Sequence, residues 1–273
     1  MQLLEDFAAL APSLDAARPR VKQLFYKGNL ELLKLPKIAV VGSRECLSYT
    51  QSAVKNLCVM LRNEGICVVS GGALGADIYA HTGALPLTIG VFANALDEFY
   101  PRQNKAVIEQ IYTRGLALSE ANSKHIVQRG DFLLRNRIII ALSDALVVAQ
   151  ADFKSGSMSS VKLAQKLGKP IFALPHRLGE SEATNALVAR GEAGLIDDFA
   201  RFCKEFKACF GFDGGLFAGE FEGKNEEASL DPLLKCVAAG VEFDELFERF
   251  GEVVYDYELE GKILIEGVKV RLA

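Results

Sequence analysis

The stretch KIAVVGSRECLSYTQSAVKNLCVMLRNEGICVVSGGALGAD, residues 37–77, decides the fold. Lys37–Val41 is a short apolar run rich in β-branched residues that stops at Gly42, the pattern of a strand. From Tyr49 to Asn63 the period changes, and Ala53, Leu57, Met60 and Leu61 fall on one helical face. Gly65 stands where a helix C-cap is expected. Ile66–Val69 repeats the strand pattern and runs into Ser70-Gly71-Gly72. Strand, helix, strand and glycine turn in one short span predict parallel pairing through a helical crossover.

The alternation continues outward. A helix is predicted through Ala84, with others near residues 104–113, 131–142 and 156–167. Strands are predicted at Leu87–Phe92, Leu116–Leu118, Ala145–Ala149 and Pro170–Leu174. The fold class is therefore α/β: an extended Rossmann-like, mostly parallel sheet with helices on both faces. In such sheets ligands bind beyond the carboxyl ends of the strands. Residues 1–35 read as a helical lead-in, 36–208 as the main domain and 209–230, with five glycines, as a linker. In residues 231–273, helical stretches at Pro232–Ala239, Phe243–Phe250 and Val253–Glu260 precede a hairpin around Glu266-Gly267. That order resembles a small winged-helix domain.

A formal net charge of −4 argues against a protein that meets phosphates through bulk charge. Its distribution argues otherwise. Residues 201–273 hold 9 basic and 16 acidic side chains, leaving 22 basic and 19 acidic in residues 1–200. The six cysteines form no C-x-x-C pair, and Cys58 and Cys67 lie in apolar stretches as core thiols of a reducing compartment. The N-terminal MQLLEDFAALAPSLDAARPR lacks the basic start of a signal peptide, and no apolar run has bilayer length, so a cytoplasmic protein without membrane contact is expected. His81, His125 and His176 have no metal-site spacing, and neither metal nor cofactor is expected. Asp77 and His81 stand one helical turn apart, which predicts a packing pair. No G-x-S-x-G elbow or nucleophile with its base is present, so no enzyme is expected.

Four segments that follow strands carry the chemistry. Gly42, Ser43 and Arg44 offer backbone N–H groups, a hydroxyl and a bidentate donor to an anion; the alternative is an ordinary turn with a solvated arginine. Gly71 and Gly72 let the backbone approach a ligand closely. Their setting is neither G-x-G-x-x-G nor G-x-x-x-x-G-K-[ST], and no acidic residue awaits a ribose, so NAD and ATP are not expected. Arg129, Gly130 and Phe132, followed by Arg135, Asn136 and Arg137, combine cations with an aromatic face, as single-strand binding requires. Arg135 and Arg137 lie two apart on a helix and point to opposite sides. One of them should form an internal pair, with Asp144 or Asp77. Lys154, Ser155, Gly156 and Ser157 form a nest for phosphate at a helix start. Arg44, Arg129, Arg135 and Lys154 would then line one positive groove.

The order of these loops resembles the DNA-processing protein A (DprA, or Smf) family. The likeness rests on YKGNLELL (26–33), VVGSR (40–44), VVSGGALGADIYAHTGAL (68–85) and FYP (99–101). LSE (118–120), RNRIIIALSDALVV (135–148) and KSGSMSS (154–160) extend it. The resemblance implies a homodimer that holds single-stranded DNA in a basic pocket during natural transformation, displaces single-strand-binding protein and helps load RecA. Leu133-Leu134 stand where the family has Phe-Pro, Phe92-Ala93-Asn94 where glycines are common, and His176 where glycine follows Pro175. The C-terminal part is so acidic that it reads as a protein-interaction module. One rival is a Rossmann-type phosphoribohydrolase, a class related to lysine-decarboxylase-like proteins, with a P-G-G-x-G-T-x-x-E loop. The segment after Ser155-Gly156-Ser157 supplies no such carboxylate. The other is a sensor of a phosphorylated metabolite using the same glycine loops.

Overall fold

The computed structural model describes residues 1–210, the strands 263–266 and 269–272, and the single positions Val237, Glu245, Leu246 and Val254. The chain divides into two units, Met1–Asp213 and Gly214–Ala273. In the first, the elements run β1 (Gln2–Leu3), α1 (Phe7–Leu10), β2 (Phe25–Gly28), β3 (Lys37–Val41), α2 (Ser48–Asn63), β4 (Cys67–Ser70), α3 (Ala76–Ala84) and β5 (Thr88–Phe92). They continue with α4 (Lys105–Arg114), β6 (Leu116–Ser119), α5 (Arg129–Leu142), β7 (Ala145–Val148), α6 (Gly156–Lys166), β8 (Ile171–Ala173), α7 (Glu182–Ala189), β9 (Gly194–Leu195) and α8 (Phe199–Phe210).

The sheet has nine strands in the order β1-β2-β6-β5-β4-β3-β7-β8-β9. From β6 to β9 every pairing is parallel, and β1 and β2 join antiparallel at one edge. The two faces follow from the strand period. Ile38 and Val40 pack with α2, α3 and α8, whereas Ala39 and Val41 pack with α5 on the other side. Both sets are buried, as expected of parallel strands covered twice. α2 ends at Gly65 with Gly65 N–H bonded to Arg62 O and Ile66 N–H to Leu61 O, both at 2.9 Å.

The lead-in is where expectation and structure part. Residues 1–35 hold one four-residue helix and two 3-10 turns, but also two strands of the main sheet. Tyr26 faces Leu118 in the β2–β6 ladder, and Leu4, Leu14, Leu24, Leu32 and Leu33 enter the core. β9, α7 and α8 were also not anticipated.

Burial pushes the Cys67 thiol up to about 12. Among the described residues no helix is long and apolar enough to cross a membrane.

In the second unit, β10 (Ile263–Glu266) pairs antiparallel with β11 (Lys269–Leu272), closed at Glu266↔Lys269, where the hairpin was expected. The helical stretches of 232–260 lie outside the described residues except at Val237, Glu245, Leu246 and Val254, which are helical. Cys209 and Phe210, the first two residues of the expected linker, belong to α8; the other residues expected there lie outside the described residues.

Candidate nucleic-acid interface

Strand order reverses at β3, whose neighbours are β4 and β7. The loops after these strands are cross-tied. Ser43 N–H donates to Gln150 O at 2.8 Å, Ala76 N–H to Ser43 O at 3.1 Å, and Ser70 Oγ to Val40 O at 2.7 Å. Gly42 lies beside α3: a Cβ there would come 2.7 Å from that of Ala76. The long loop after β5 is bound in as well, because Asn104 Nδ2 donates to Gly72 O and Ala73 O, each at 3.0 Å.

The Gly71 peptide sits between two buried charges. Its N–H donates to Asp77 Oδ2 at 3.1 Å, and its carbonyl accepts from Arg135 Nη1 at 2.6 Å. The same nitrogen reaches Val91 O. A side chain at Gly71 would overlap the guanidinium, which is the reason for glycine there. Gly72 has φ +70°, and a Cβ would lie 2.7 Å from Phe92 Cε1. Burial raises the Asp77 carboxyl, opposed by the Arg135 charge and the two loop N–H groups. Burial brings Arg135 down to about 10 against the pull of Asp77.

This corrects several expectations. Arg135 does not line the groove: it is 7 % exposed and its charge serves the Gly71 loop. Arg137 is buried too, on the opposite side, where its guanidinium makes a bidentate pair with Glu120 at 2.7 and 2.8 Å and its Nε donates to Pro19 O. The two arginines do diverge, but both are internal. Asp144 is not their partner; it accepts from Lys37 N–H at 2.8 Å. Asp77 and His81 are both buried on α3 but serve different partners, Asp77 the Gly71 loop and His81 Thr88, whose Oγ1 lies 2.7 Å from its Nδ1. Ser157 is also withdrawn, 8 % exposed on the first turn of α6.

Gly71 and Gly72 are buried as well, and the Ser43 and Gly71 amides expected to meet an anion are spent on Gln150 O and Asp77, so these glycines support the rim from beneath. The other expected residues reach its surface. Arg44 is exposed, and its guanidinium carbon stands 5.6 Å from the Phe132 ring centroid. α5 starts two residues earlier than predicted, because Gln128 N–H donates to Asp131 Oδ2 at 2.7 Å, a carboxylate that also meets His125 Nε2 at 2.7 Å. Arg129, Gly130 and Phe132 thus occupy a helical first turn. Arg129 is exposed, Gly130 has open space around it and Phe132 is half-buried, as is Asn136. A Cβ at Gly156, the first residue of α6, would come 4.0 Å from Leu133 Cδ2, so the starts of α5 and α6 lie close together. Ser155 caps α6, accepting from Met158 N–H, beside exposed Lys154. Among the described residues Arg44, Arg129 and Lys154 have no acidic partner. Asp131 already supplies the carboxylate that serves the start of α5, while Arg129 in the same turn has no acidic partner of its own among those residues and is exposed to an external anion. Tyr100, exposed Arg102 and Asn104 were missed. FYP had been noted only as a match, and nothing in its spacing places it over Phe132.

A mostly parallel α/β sheet whose carboxyl rim carries exposed cations beside the Phe132 ring defines a Rossmann-like protein. The model of the DNA recombination-mediator protein A family matches residues 6–207, and the chain belongs to that family. It is 40 % identical over 189 residues to the DNA processing protein DprA of Streptococcus pneumoniae, covering 67 % of this chain and 66 % of that one. It is 35 % identical over 159 residues to the Bacillus subtilis DprA, covering 57 % and 54 %. The chain therefore spans less than two thirds of these relatives. Among solved structures, DNA processing protein A of Helicobacter pylori, described with a single-stranded DNA binding mode, superposes with a TM-score of 0.74 at 41 % identity. That match covers 77 % of this chain and 96 % of that one. The S. pneumoniae DprA structure gives 0.70 at 35 % identity, covering 77 % and 74 %.

Proposed function

We propose that this chain is a single-strand DNA-binding recombination mediator that holds the strand along the rim formed by Gly42, Ser43, Arg44, Arg129, Gly130, Phe132, Asn136, Lys154, Ser155 and Gly156, with the buried Gly71-Gly72 turn setting the backbone beneath it. The observation that carries the reading is the half-buried Phe132 ring beneath Arg44, with Arg129 and Lys154 unpaired nearby. Cations meet the backbone and the ring meets a base. It binds without catalysis, protects incoming DNA and helps load RecA, acting as a cytoplasmic homodimer. Residues 231–273 form a winged-helix-like module that contacts a protein partner. A phosphoribohydrolase would need a carboxylate after the Ser155-Gly156-Ser157 turn, where Met158-Ser159-Ser160 stand.

The test is titration of fluorescent oligo-dT at several salt concentrations. Three phosphate contacts predict a log–log slope of about −2, hence roughly twentyfold weaker binding at ~200 than at ~50 mM salt. A flat response, or turnover of a nucleoside monophosphate in a parallel assay, would sink the proposal.

A further inference from the structure

Tyr100 lies on the loop after β5, and its ring centroid is 5.4 Å from that of Phe132 at an interplanar angle of 39°. It is 49 % exposed. Its neighbour turns the other way: Phe99 stacks on Tyr112 at 5.6 Å, and Tyr112 hydroxyl donates to Glu98 O at 3.2 Å. With Asn104 tying the same loop to Gly72 and Ala73, the backbone that presents Tyr100 is held from both sides. Phe132 is thus flanked by two flat groups, the Arg44 guanidinium and the Tyr100 phenol. The two rings are too close for a base to slip between them, and too tilted for one base to lie flat on both. Each can serve a separate base.

We propose that Tyr100 is a second stacking platform, taking the nucleotide next to the one held at Phe132. This rests on the single-strand reading above. Stacking needs only a π face, so the platform extends the track without adding sequence preference or charge.

The chain contains no tryptophan, so Tyr100→Trp places a lone indole at the rim. Labelled oligo-dT is titrated with this protein while oligonucleotide anisotropy and indole emission are read together. The indole should be quenched along the same isotherm as the anisotropy change. Tyr100→Ala should weaken binding about tenfold with the salt slope unaltered, and Tyr100→Phe should bind like the parent. Tyr100→Ala with Phe132→Ala should lose the product of the two single effects. Binding without quenching, parental affinity in Tyr100→Ala, or a double variant no weaker than Phe132→Ala overturns the proposal. No anisotropy change with the parent protein overturns the single-strand reading and this one with it.

Discussion

Replacing Arg135 with alanine separates two roles that its neighbourhood in sequence had merged. In the structure its guanidinium is spent inside the protein, on Gly71 O and Val91 O, with Asp77 as the nearby counter-charge. Removing it leaves two buried carbonyls unpaired, at about 1–3 kcal/mol each. A loss of about 2–6 kcal/mol corresponds to a fall in thermal midpoint of about 4–24 °C, at about 2–4 °C per kcal/mol for a domain of this size. Arg135→Lys, which keeps a charge and some donors, should fall between. Oligo-dT binding measured well below the midpoint should keep the parental salt slope, because no phosphate contact is lost. Arg44→Ala should do the reverse, reducing the slope by about 0.7 with the stability within about 0.5 kcal/mol of the parent. The assay is differential scanning fluorimetry beside anisotropy at graded salt. An Arg135→Ala protein that melts like the parent and loses about 0.7 from its slope would put the guanidinium on the rim and refute the reasoning.

Other outcomes test the frame around the site. Glu120→Ala strips Arg137 of a bidentate partner and should cost about 2–3 kcal/mol in chemical denaturation, less than a fully buried pair because Glu120 keeps 25 % of its side chain in water. Gly72→Ala forces a side chain into a left-handed backbone and against Phe92; it should lose about 2–4 kcal/mol and weaken oligonucleotide binding together. His81, brought down to about 3 by burial and by Arg135, takes up its proton only on unfolding between that value and 6.5. The unfolded chain binds more protons in that window, so stability should rise with pH across it and fall on acidification, by about 1.4 kcal/mol per pH unit. His81→Gln should flatten the acid side of the melting profile, and a parent and variant with parallel profiles would count against it.

What could be read in the sequence was the repeating part. Lys37–Val41, Thr88–Phe92 and Leu116–Ser119 are buried on both faces and so stand out as unbroken apolar runs between periodic helices. β2 did not, because Phe25–Gly28 is partly exposed and its strand character comes from pairing with β6, a partner far away in the chain. β1 and β9 have two residues each, too short for any period. For the site, exposure separates the residues left on the rim from those drawn inside. Arg44, Arg129 and Arg135 look alike in a one-letter string, and only the Gly71 carbonyl draws the third inward. Tyr100 was hidden for the converse reason. Its value depends on where Phe132 lies, which local spacing does not encode.

The cross-ties among the rim loops bear on how the surface meets a ligand. The amides of Ser43, Gly71, Ala73 and Ala76 already have acceptors within the protein, and the carbonyls of Gly72 and Ala73 already have the Asn104 amide as donor. Such amides exchange with solvent only when the sheet itself opens, so their protection should match that of β3 and β4. A surface set in advance loses little conformational entropy on binding. Encounter is then governed by diffusion and charge steering, and what distinguishes one rim variant from another is how long the strand stays.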